Sequence, residues 1–322
     1  MHDLFRWRLV VLGLVTCTLV SCHSTSSTIA VIPRTCGTLL WEPMHAGAVT
    51  SARSNTLHVY WNAPPQENDI QKQIGFIQLA LNRHYRGVIV APDETLAFRT
   101  PVRHVLDQHV PVVVVDDDLE IPSNPQLAYV LNDEVAGGQI AARRVALKLG
   151  GRGSVAILGI NLHLRSMQMR ALSLEHTLTT EFPNIHVVFR GFGGTNLSYE
   201  QQTAESVLRM KPRVGAIVAL SALSTRGVYY AKIGLGIGPE VPIIGFDQDI
   251  LPPIRAGEID SVIMQQTYQI GLASMQIMTR LLRRENLPAK IFIAPVLLTS
   301  QTLDSPVFHE QRSYVTFRWD EQ

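Results

Sequence analysis

The chain has 322 residues, a length typical of about two domains. Its 28 Lys and Arg residues nearly balance its 27 Asp and Glu residues, so the net charge is +1, and no basic stretch indicates a nucleic-acid binder. Hydrophobic residues make up 46% of the chain, which favours buried cores over disorder, and 3 Cys residues exclude a disulfide-built scaffold.

The N-terminal segment, residues 1–21, is predicted to be a secretory signal peptide. Arg6 and Arg8 precede an uncharged and mostly apolar run, Leu9–Val20. A helix of that length spans only about 18 Å, whereas the hydrocarbon core of a bilayer is about 30 Å thick. A positive flank, a short apolar run and small residues after it are typical of a signal peptide. A buried N-terminal helix is the alternative interpretation.

The end of this segment predicts a lipid anchor. The sequence LVSC at residues 19–22 resembles the lipobox of bacterial lipoproteins. The resemblance implies cleavage before Cys22, acyl chains on that residue, and residues 22–27 as a tether; plain secretion is the alternative. Because Cys17 would leave with the signal peptide, Cys36 is expected to have no disulfide partner in the mature chain.

From Thr28 onward, short β-branched runs alternate with amphipathic stretches. Strands are predicted at Thr28–Pro33, Leu57–Trp61, Gly87–Ala91, Pro111–Asp116, Ala128–Leu131, Ser154–Leu158, His186–Phe189, Ala216–Leu220, Pro242–Phe246 and Ser261–Gln265. Helices are predicted at Asp69–Asn82, Glu134–Leu149, Leu164–Glu181, Tyr199–Met210 and Tyr268–Arg284. Several strands are apolar on both faces, as in a parallel sheet that helices cover. Repeated βα units predict an α/β fold, either two doubly wound lobes or a (β/α)8 barrel.

Three long segments carry a family resemblance. They are PVVVVDDDL at 111–119, DEVAGGQIAARRVALKLGGRGSVAIL at 133–158, and VPIIGFDQDILPPIRAGEIDSVIMQQTYQIG at 241–271. In this order and at this spacing they resemble the type 1 periplasmic binding protein superfamily, in its sugar-binding branch related to ribose-binding protein. Ligand cores of lactose-repressor-type regulators share that fold. The resemblance covers about Thr28 to Leu303 and implies two Rossmann-like lobes, joined by three crossings, with a ligand cleft between them.

The resemblance also implies how the chain is divided. The first lobe is expected to comprise residues 28–130 and 266–291, and the second lobe residues 131–265 and 292–305. Residues 306–322 are expected to form a C-terminal tail. A monomer is the usual state in this branch of the superfamily.

Two aspartates are the first candidate ligand residues. Open α/β sheets bind ligands at the C-terminal ends of their strands, and Asp116 and Asp247 each end a predicted strand. A carboxylate accepts hydrogen bonds from neighbouring sugar hydroxyls. The resemblance assigns both positions to ligand hydroxyls, and capping of the next helix is the alternative. Asp117 and Asp118 are expected further out in the loop as solvated charges.

Other candidate residues follow from the same resemblance. Arg170 occupies the arginine position of the family's Arg-x-x-Gly-Phe motif and would bind ring and hydroxyl oxygens, with Arg165 as a competitor and a surface salt bridge as the alternative for either. Gln265 matches the family's crossover glutamine, which can donate and accept across the cleft. Trp41 lies where the family places aromatic residues, and its ring would face a pyranose or only pack under the loop.

Three further positions border the expected cleft. Arg34 follows the first strand, and Asp93 follows the strand GVIVA, where it would contact the ligand or lie at the rim. Ser221, which is expected to face the ligand, and Ala222 stand where the family has Asn-Asp. This departure removes a carboxylate that often binds a sugar hydroxyl.

These features predict a binding protein and not an enzyme. The sequence contains no nucleophile elbow and no metal-ligand spacing, so neither a cofactor nor a metal is expected. The predicted function is that of a cell-envelope lipoprotein that captures a small sugar or sugar-like polyol by closing its lobes, and delivers it to the permease of an ABC-type importer. The alternative is a sugar sensor that presents its ligand to a membrane receptor kinase. Nucleic acid is not an expected partner.

Overall fold

The computed structural model describes residues 27–122, 124–194, 196–247, 251–306 and 308. The predicted signal peptide, Cys22, most of the tether and most of the tail therefore lie outside the described residues. The strands of the described part are β1 (Thr28–Ile32), β2 (His58–Trp61), β3 (Gly87–Val90), β4 (Val112–Val115), β5 (Leu127–Asn132), β6 (Gly153–Ile160), β7 (Ile185–Phe192), β8 (Ala216–Ala219), β9 (Ile243–Phe246), β10 (Ser261–Met264), β11 (Lys290–Ile293) and β12 (Val296–Thr299).

Helices connect most of these strands. The α-helices are α1 (Glu42–Arg53), α2 (Ile70–Asn82), α3 (Arg99–Asp107), α4 (Glu134–Leu149), α5 (Arg165–Glu181), α6 (Leu197–Leu208), α7 (Ala222–Gly234), α8 (Leu251–Arg255) and α9 (Thr267–Leu282), and a short 3-10 helix spans Leu39–Trp41. The boundaries of α4 show why the sequence folds in this way. The Asp133 side chain accepts the Ala136 N–H at 2.9 Å, and Gly150 ends the helix at φ +61°, where glycine carries no Cβ penalty. None of the helices in the described residues is long and apolar enough to cross a membrane.

The strands form two six-stranded sheets. The first sheet has the order β11-β5-β4-β3-β1-β2 and is entirely parallel. The second sheet has the order β12-β10-β9-β8-β6-β7, and only its edge strand β12 runs antiparallel. We call each sheet with its helices a lobe. The expected pair of doubly wound α/β lobes is confirmed, and a single (β/α)8 barrel is excluded because two separate sheets are present.

Each sheet is buried on both faces. In β4, Val113 and Val115 pack into one hydrophobic core, whereas Val112 and Val114 pack into another on the opposite face. This alternation is the period of two that a strand imposes on its side chains. Burying a valine side chain completely contributes roughly 1.5–3 kcal/mol, so such a strand is strongly favoured between two helical layers.

The chain passes between the lobes at three points, and hydrogen bonds join them. The passages lie between β5 and α4, between β10 and α9, and between β11 and β12. The Asn132 side-chain N–H donates to Gln265 Oε1 at 2.9 Å, which links the first passage to the second. The Gln266 side-chain N–H donates to the Ala294 carbonyl at 2.8 Å, which links the second to the third. The lobe boundaries expected from the sequence stay a prediction.

Candidate functional site

A cavity of about 280 Å³ lies between the two lobes. Six of the eight ligand residues expected from the sequence line it: Arg34, Asp116, Arg170, Ser221, Asp247 and Gln265. Thr35, Gly37, Thr38, Leu40, Pro65, Gln66, Glu67, Gly159, Asn161, Leu164, Ser166, Met167, Gly193, Gly194, Glu200, Ala222, Leu223 and Arg226 complete the wall. The volume is just below the roughly 300 Å³ lower limit of pockets for drug-sized ligands, so the cavity suits a small solute.

The two strand-end aspartates occupy corresponding positions in the two lobes. Asp116 directly follows β4 in the first sheet, and Asp247 directly follows β9 in the second sheet. Their backbones have φ values of +68° and +65°, in the left-handed region that non-glycine residues seldom adopt. Aspartate tolerates this region better than most residues, because its short polar side chain bonds locally. Both carboxylates therefore reach the cavity from the C-terminal edge of their sheet, as the sequence predicts.

A chain of polar contacts runs from the first lobe to the second passage. Arg34 Nη2 forms an ion pair with Asp116 Oδ2, and the Arg34 Nε–H donates to the Pro92 carbonyl at 3.0 Å. The Asn132 side chain donates to Asp116 Oδ1 at 2.5 Å as well as to Gln265. Burial lowers the pKa of Arg34, but the carboxylates around it, Asp116 foremost, raise it overall. Arg34 therefore stays cationic and keeps Asp116 in place.

Arg170 is almost completely buried against Glu134. Its Nε–H and Nη2–H donate to the two oxygens of that carboxylate at 2.5 and 2.8 Å, and its Nη1–H donates to the Leu220 carbonyl at 2.5 Å. Its guanidinium carbon lies 4.2 Å from the centroid of the Phe246 ring. Burial lowers the pKa of Arg170, but Glu134 and, to a smaller extent, Asp247 raise it overall. A guanidinium has five N–H groups, so two remain to donate to a bound solute.

Ser221 has a structural contact in addition to its place on the cavity wall. It precedes α7, and its hydroxyl oxygen accepts the Ser224 N–H at 3.1 Å as a helix cap. Arg226 lies one turn further along α7 and also lines the cavity. The part of the wall where Ser221 and Ala222 replace the family's Asn-Asp therefore also carries the guanidinium group of Arg226.

Two expected ligand residues lie outside the cavity wall. Trp41 is 1% exposed, and the Arg34 guanidinium carbon lies 5.9 Å from the centroid of its ring. Its ring therefore packs under the loop, which is the alternative the sequence left open. Asp93 is 5% exposed and accepts the Asn68 N–H, while its own N–H donates to Gln73 Oε1 at 3.1 Å. Burial raises the pKa of Asp93, and Arg34 partly opposes this.

Asp117 is not the solvated charge that the sequence led us to expect. It is 0% exposed, and its Oδ1 accepts the Ser166 N–H of the other lobe at 2.7 Å. Burial raises the pKa of this carboxyl, whereas Arg34 lowers it. Its neighbour Asp118 is partly exposed and forms an ion pair with Lys290. Arg165, the competitor of Arg170, forms a salt bridge with Glu120 at 2.9 Å.

Several site residues were missed by the sequence reasoning. Asn132 and Glu134 hold Asp116 and Arg170, and Asn161 lies on the cavity wall. Asn132 is the last residue of β5, and Asn161 directly follows β6. The rule that located the two aspartates, polar residues at the C-terminal ends of parallel strands, applies to these asparagines equally. Glu134 carries no such signal, because it lies within the first turn of α4.

The cavity can bind a solute rich in hydroxyl groups. Carboxylates of Asp116 and Asp247 accept hydrogen bonds, the Arg170 guanidinium donates them, and the Gln265 amide can do both. The described residues contain no group of three or more His, Cys, Asp or Glu side chains placed to hold a metal ion. The polar groups come from both lobes, so a solute between them would connect the two.

Comparisons with known proteins agree with this architecture. The family model described as a periplasmic binding protein domain matches residues 29–286. The D-allose-binding periplasmic protein of Escherichia coli is 23% identical over 257 residues, covering 77% of this chain and 82% of that protein. The xylitol-binding protein of Mycolicibacterium smegmatis is 23% identical over 273 residues, covering 82% of this chain and 74% of that protein.

A solved structure shows the same fold. The ABC transporter solute binding protein of Agrobacterium vitis, bound with alpha-D-tagatopyranose, superposes with a TM-score of 0.81 at 20% identity. The alignment covers 88% of this chain and 97% of that one. The family match spans both lobes and the cavity between them. The chain therefore belongs to the periplasmic binding protein family.

Proposed function

We propose that this protein is a solute-binding protein that captures one small sugar or polyol between its lobes. The observation that carries the proposal is that Asp116 of one lobe and Asp247 of the other line the same cavity, with Arg170 and Gln265 beside them. The relatives named for D-allose and xylitol, and the similar structure with tagatopyranose, support this solute class. The protein would bind its solute unchanged, as a family of binding proteins does, and would not act as an enzyme.

A thermal-melt panel tests the proposal. The purified protein is melted with pentoses, hexoses, polyols, disaccharides, nucleosides and branched amino acids. A solute at 100 times its dissociation constant stabilises the folded state by about 2.7 kcal/mol. At this chain length that corresponds to a rise in Tm of roughly 5–10 °C. We expect one class of monosaccharide or polyol to give such a shift. A panel without any shift, or a shift confined to amino acids, would contradict the proposal.

We further propose that the protein is exported and works with an ATP-driven importer. The relative named as periplasmic and the similar ABC transporter protein support this placement, and for that reason we prefer an importer permease to a receptor kinase as the partner.

The lipid anchor is a proposal that depends on Cys22. If the thiol of Cys22 carries the acyl chains, Cys22→Ser should release most of the protein from the membrane fraction of a bacterial host or leave its signal peptide uncleaved. Fractionation and the mass of the N-terminal peptide measure both effects. The matched control is Cys36→Ser, which removes the exposed free thiol of the described region and should change neither. Equal membrane association of both variants would contradict the anchor.

A further inference from the structure

The N-terminus of α5 is capped from the opposite lobe. The residue before this helix, Leu164, makes no side-chain hydrogen bond to it. The first N–H groups of a helix have no partner within the helix, so they need acceptors from elsewhere. Here the acceptors are Thr95 and Asp117, which follow strands β3 and β4 of the first sheet, whereas α5 packs on the second sheet.

Four hydrogen bonds make up this connection: three join the two lobes, and one joins two residues of the first lobe. The Arg165 N–H donates to Thr95 Oγ1 at 3.0 Å, and the Ser166 N–H donates to Asp117 Oδ1 at 2.7 Å. The Thr95 hydroxyl donates to Asp117 Oδ2, which fixes the carboxylate. The Thr95 N–H donates to the His163 carbonyl at 3.0 Å. Both oxygens of Asp117 are therefore engaged, one with each lobe.

Burial and charge both strengthen the connection. Thr95, Asp117 and Ser166 are 7%, 0% and 7% exposed, so water is largely excluded from these bonds. A helix N-terminus carries a partial positive charge, and a carboxylate placed there is stabilised by it. The carboxylate and the N–H groups would both have to be hydrated again if the lobes moved apart.

The connection reaches the cavity wall at Ser166, whereas its acceptors in the first lobe, Thr95 and Asp117, lie outside that wall. Helix α5 also carries Met167 and Arg170 to that wall, and Asp116 precedes Asp117 in the chain. Asp117 itself is absent from the residues that line the cavity. Asp117 would therefore affect solute binding by holding the two lobes together, and not by contacting the solute.

We propose that Thr95 and Asp117 are positioning residues that cap α5 across the cleft in the closed form and thereby stabilise closure. Separation of the lobes removes the cap. Because the apparent affinity for a solute scales with the fraction of binding-competent protein, the cap sets affinity without touching the solute. This goes beyond the proposed function, since it concerns the closing equilibrium whichever solute is bound.

Hydrogen exchange on the full chain without solute tests the cap. Asp117→Ala should speed the exchange of the Ser166 amide at least about tenfold, the lower end of the effect of losing a bond to a charged acceptor. The Arg165 amide should also exchange faster, because its acceptor Thr95 loses the carboxylate that fixes it. The variant should also raise the radius of gyration measured by small-angle scattering. Asp118→Ala is the matched control: it removes the next carboxylate of the same loop, whose partners, the Lys290 side chain and the Glu120 N–H, both belong to the same lobe, and it should change neither quantity.

A second variant keeps the test open if Asp117→Ala does not fold. Thr95→Val has nearly the same shape, loses both side-chain bonds, and should speed the exchange of the Arg165 amide. The proposal would be overturned if amide exchange were unchanged in the Thr95 and Asp117 variants, or if Asp118→Ala accelerated it equally. It would also be overturned if exchange became faster while the radius of gyration stayed the same. Because no solute is added, these outcomes are independent of the melt panel and of the proposed function.

Discussion

Replacing Arg170 with methionine is expected to lower the free energy of unfolding by about 3–5 kcal/mol, which is the usual effect of removing one partner of a buried ion pair. The cause is Glu134, whose carboxylate would stay buried without its two charged hydrogen bonds. The Leu220 carbonyl would lose its donor as well. Urea denaturation of the wild type and the variant measures the difference.

The double variant Arg170→Met with Glu134→Met separates charge from packing. Removing both partners leaves no unpaired buried carboxylate, so the double variant should be more stable than Arg170→Met alone. Neither variant should bind the solute well, since both lack the guanidinium at the cavity wall. The single variant Glu134→Met completes the comparison. If its loss of unfolding free energy simply adds to that of Arg170→Met in the double variant, the two residues are not coupled and this account of the pair is wrong.

Replacing Asp247 with asparagine is expected to weaken solute binding roughly 10- to 150-fold. Hydrogen bonds to a charged group contribute roughly 1.5–3 kcal/mol each, and the variant turns one of two charged acceptor oxygens into a donor. Asparagine also tolerates the left-handed backbone at this position, so the loop should keep its course. Titration calorimetry with the solute that gives the largest melting shift measures the affinity.

The control for this variant is Asp118→Asn, which removes the same charge from the loop after β4. Its side chain contacts Lys290 and is not part of the cavity wall. We expect its affinity to match that of the wild type. A loss below threefold in Asp247→Asn would mean that the solute makes no hydrogen bond with this carboxylate.

All ten predicted strands are present. Eight of them are mostly buried, since a run such as Val112–Val115 is stable only in the middle of a covered sheet, whereas β2 and β7 are partly exposed edge strands. Strands β11 and β12 were not predicted. They are short edge strands whose side chains are mostly only partly buried, and in the sequence they form one run that Pro295 interrupts.

The helices, like the strands, include some that the sequence predicts and some that it does not. The five predicted helices are present, with α4 at its predicted boundaries, since a capping aspartate and a glycine end are visible in the sequence. Helices α1, α3, α7 and α8 were not predicted. Helix α1, for example, contains Pro43 at its start and many buried small residues, so its apolar period is weak.

The candidate site was predictable where a local rule sufficed. Strand ends located Asp116 and Asp247, because the edge of a parallel sheet follows from the strands alone. The contacts of Asp117 and Arg170, in contrast, depend on pairs far apart in the chain. Ser166 is 49 positions from Asp117, and Glu134 is 36 positions from Arg170, so no sequence window contains either pair.

The interleaving of the two sheets has a consequence for how the chain folds. Strands β1 to β5 of the first sheet emerge early, but the edge strand β11 follows only after the whole of the second sheet except β12. Contacts between such distant segments form slowly, because a long loop must close first. Neither lobe can therefore be completed until residues 290–299 are available. A chain exported from its N-terminus would stay incompletely folded for most of its translocation. It could complete both lobes only when roughly its last tenth has crossed the membrane.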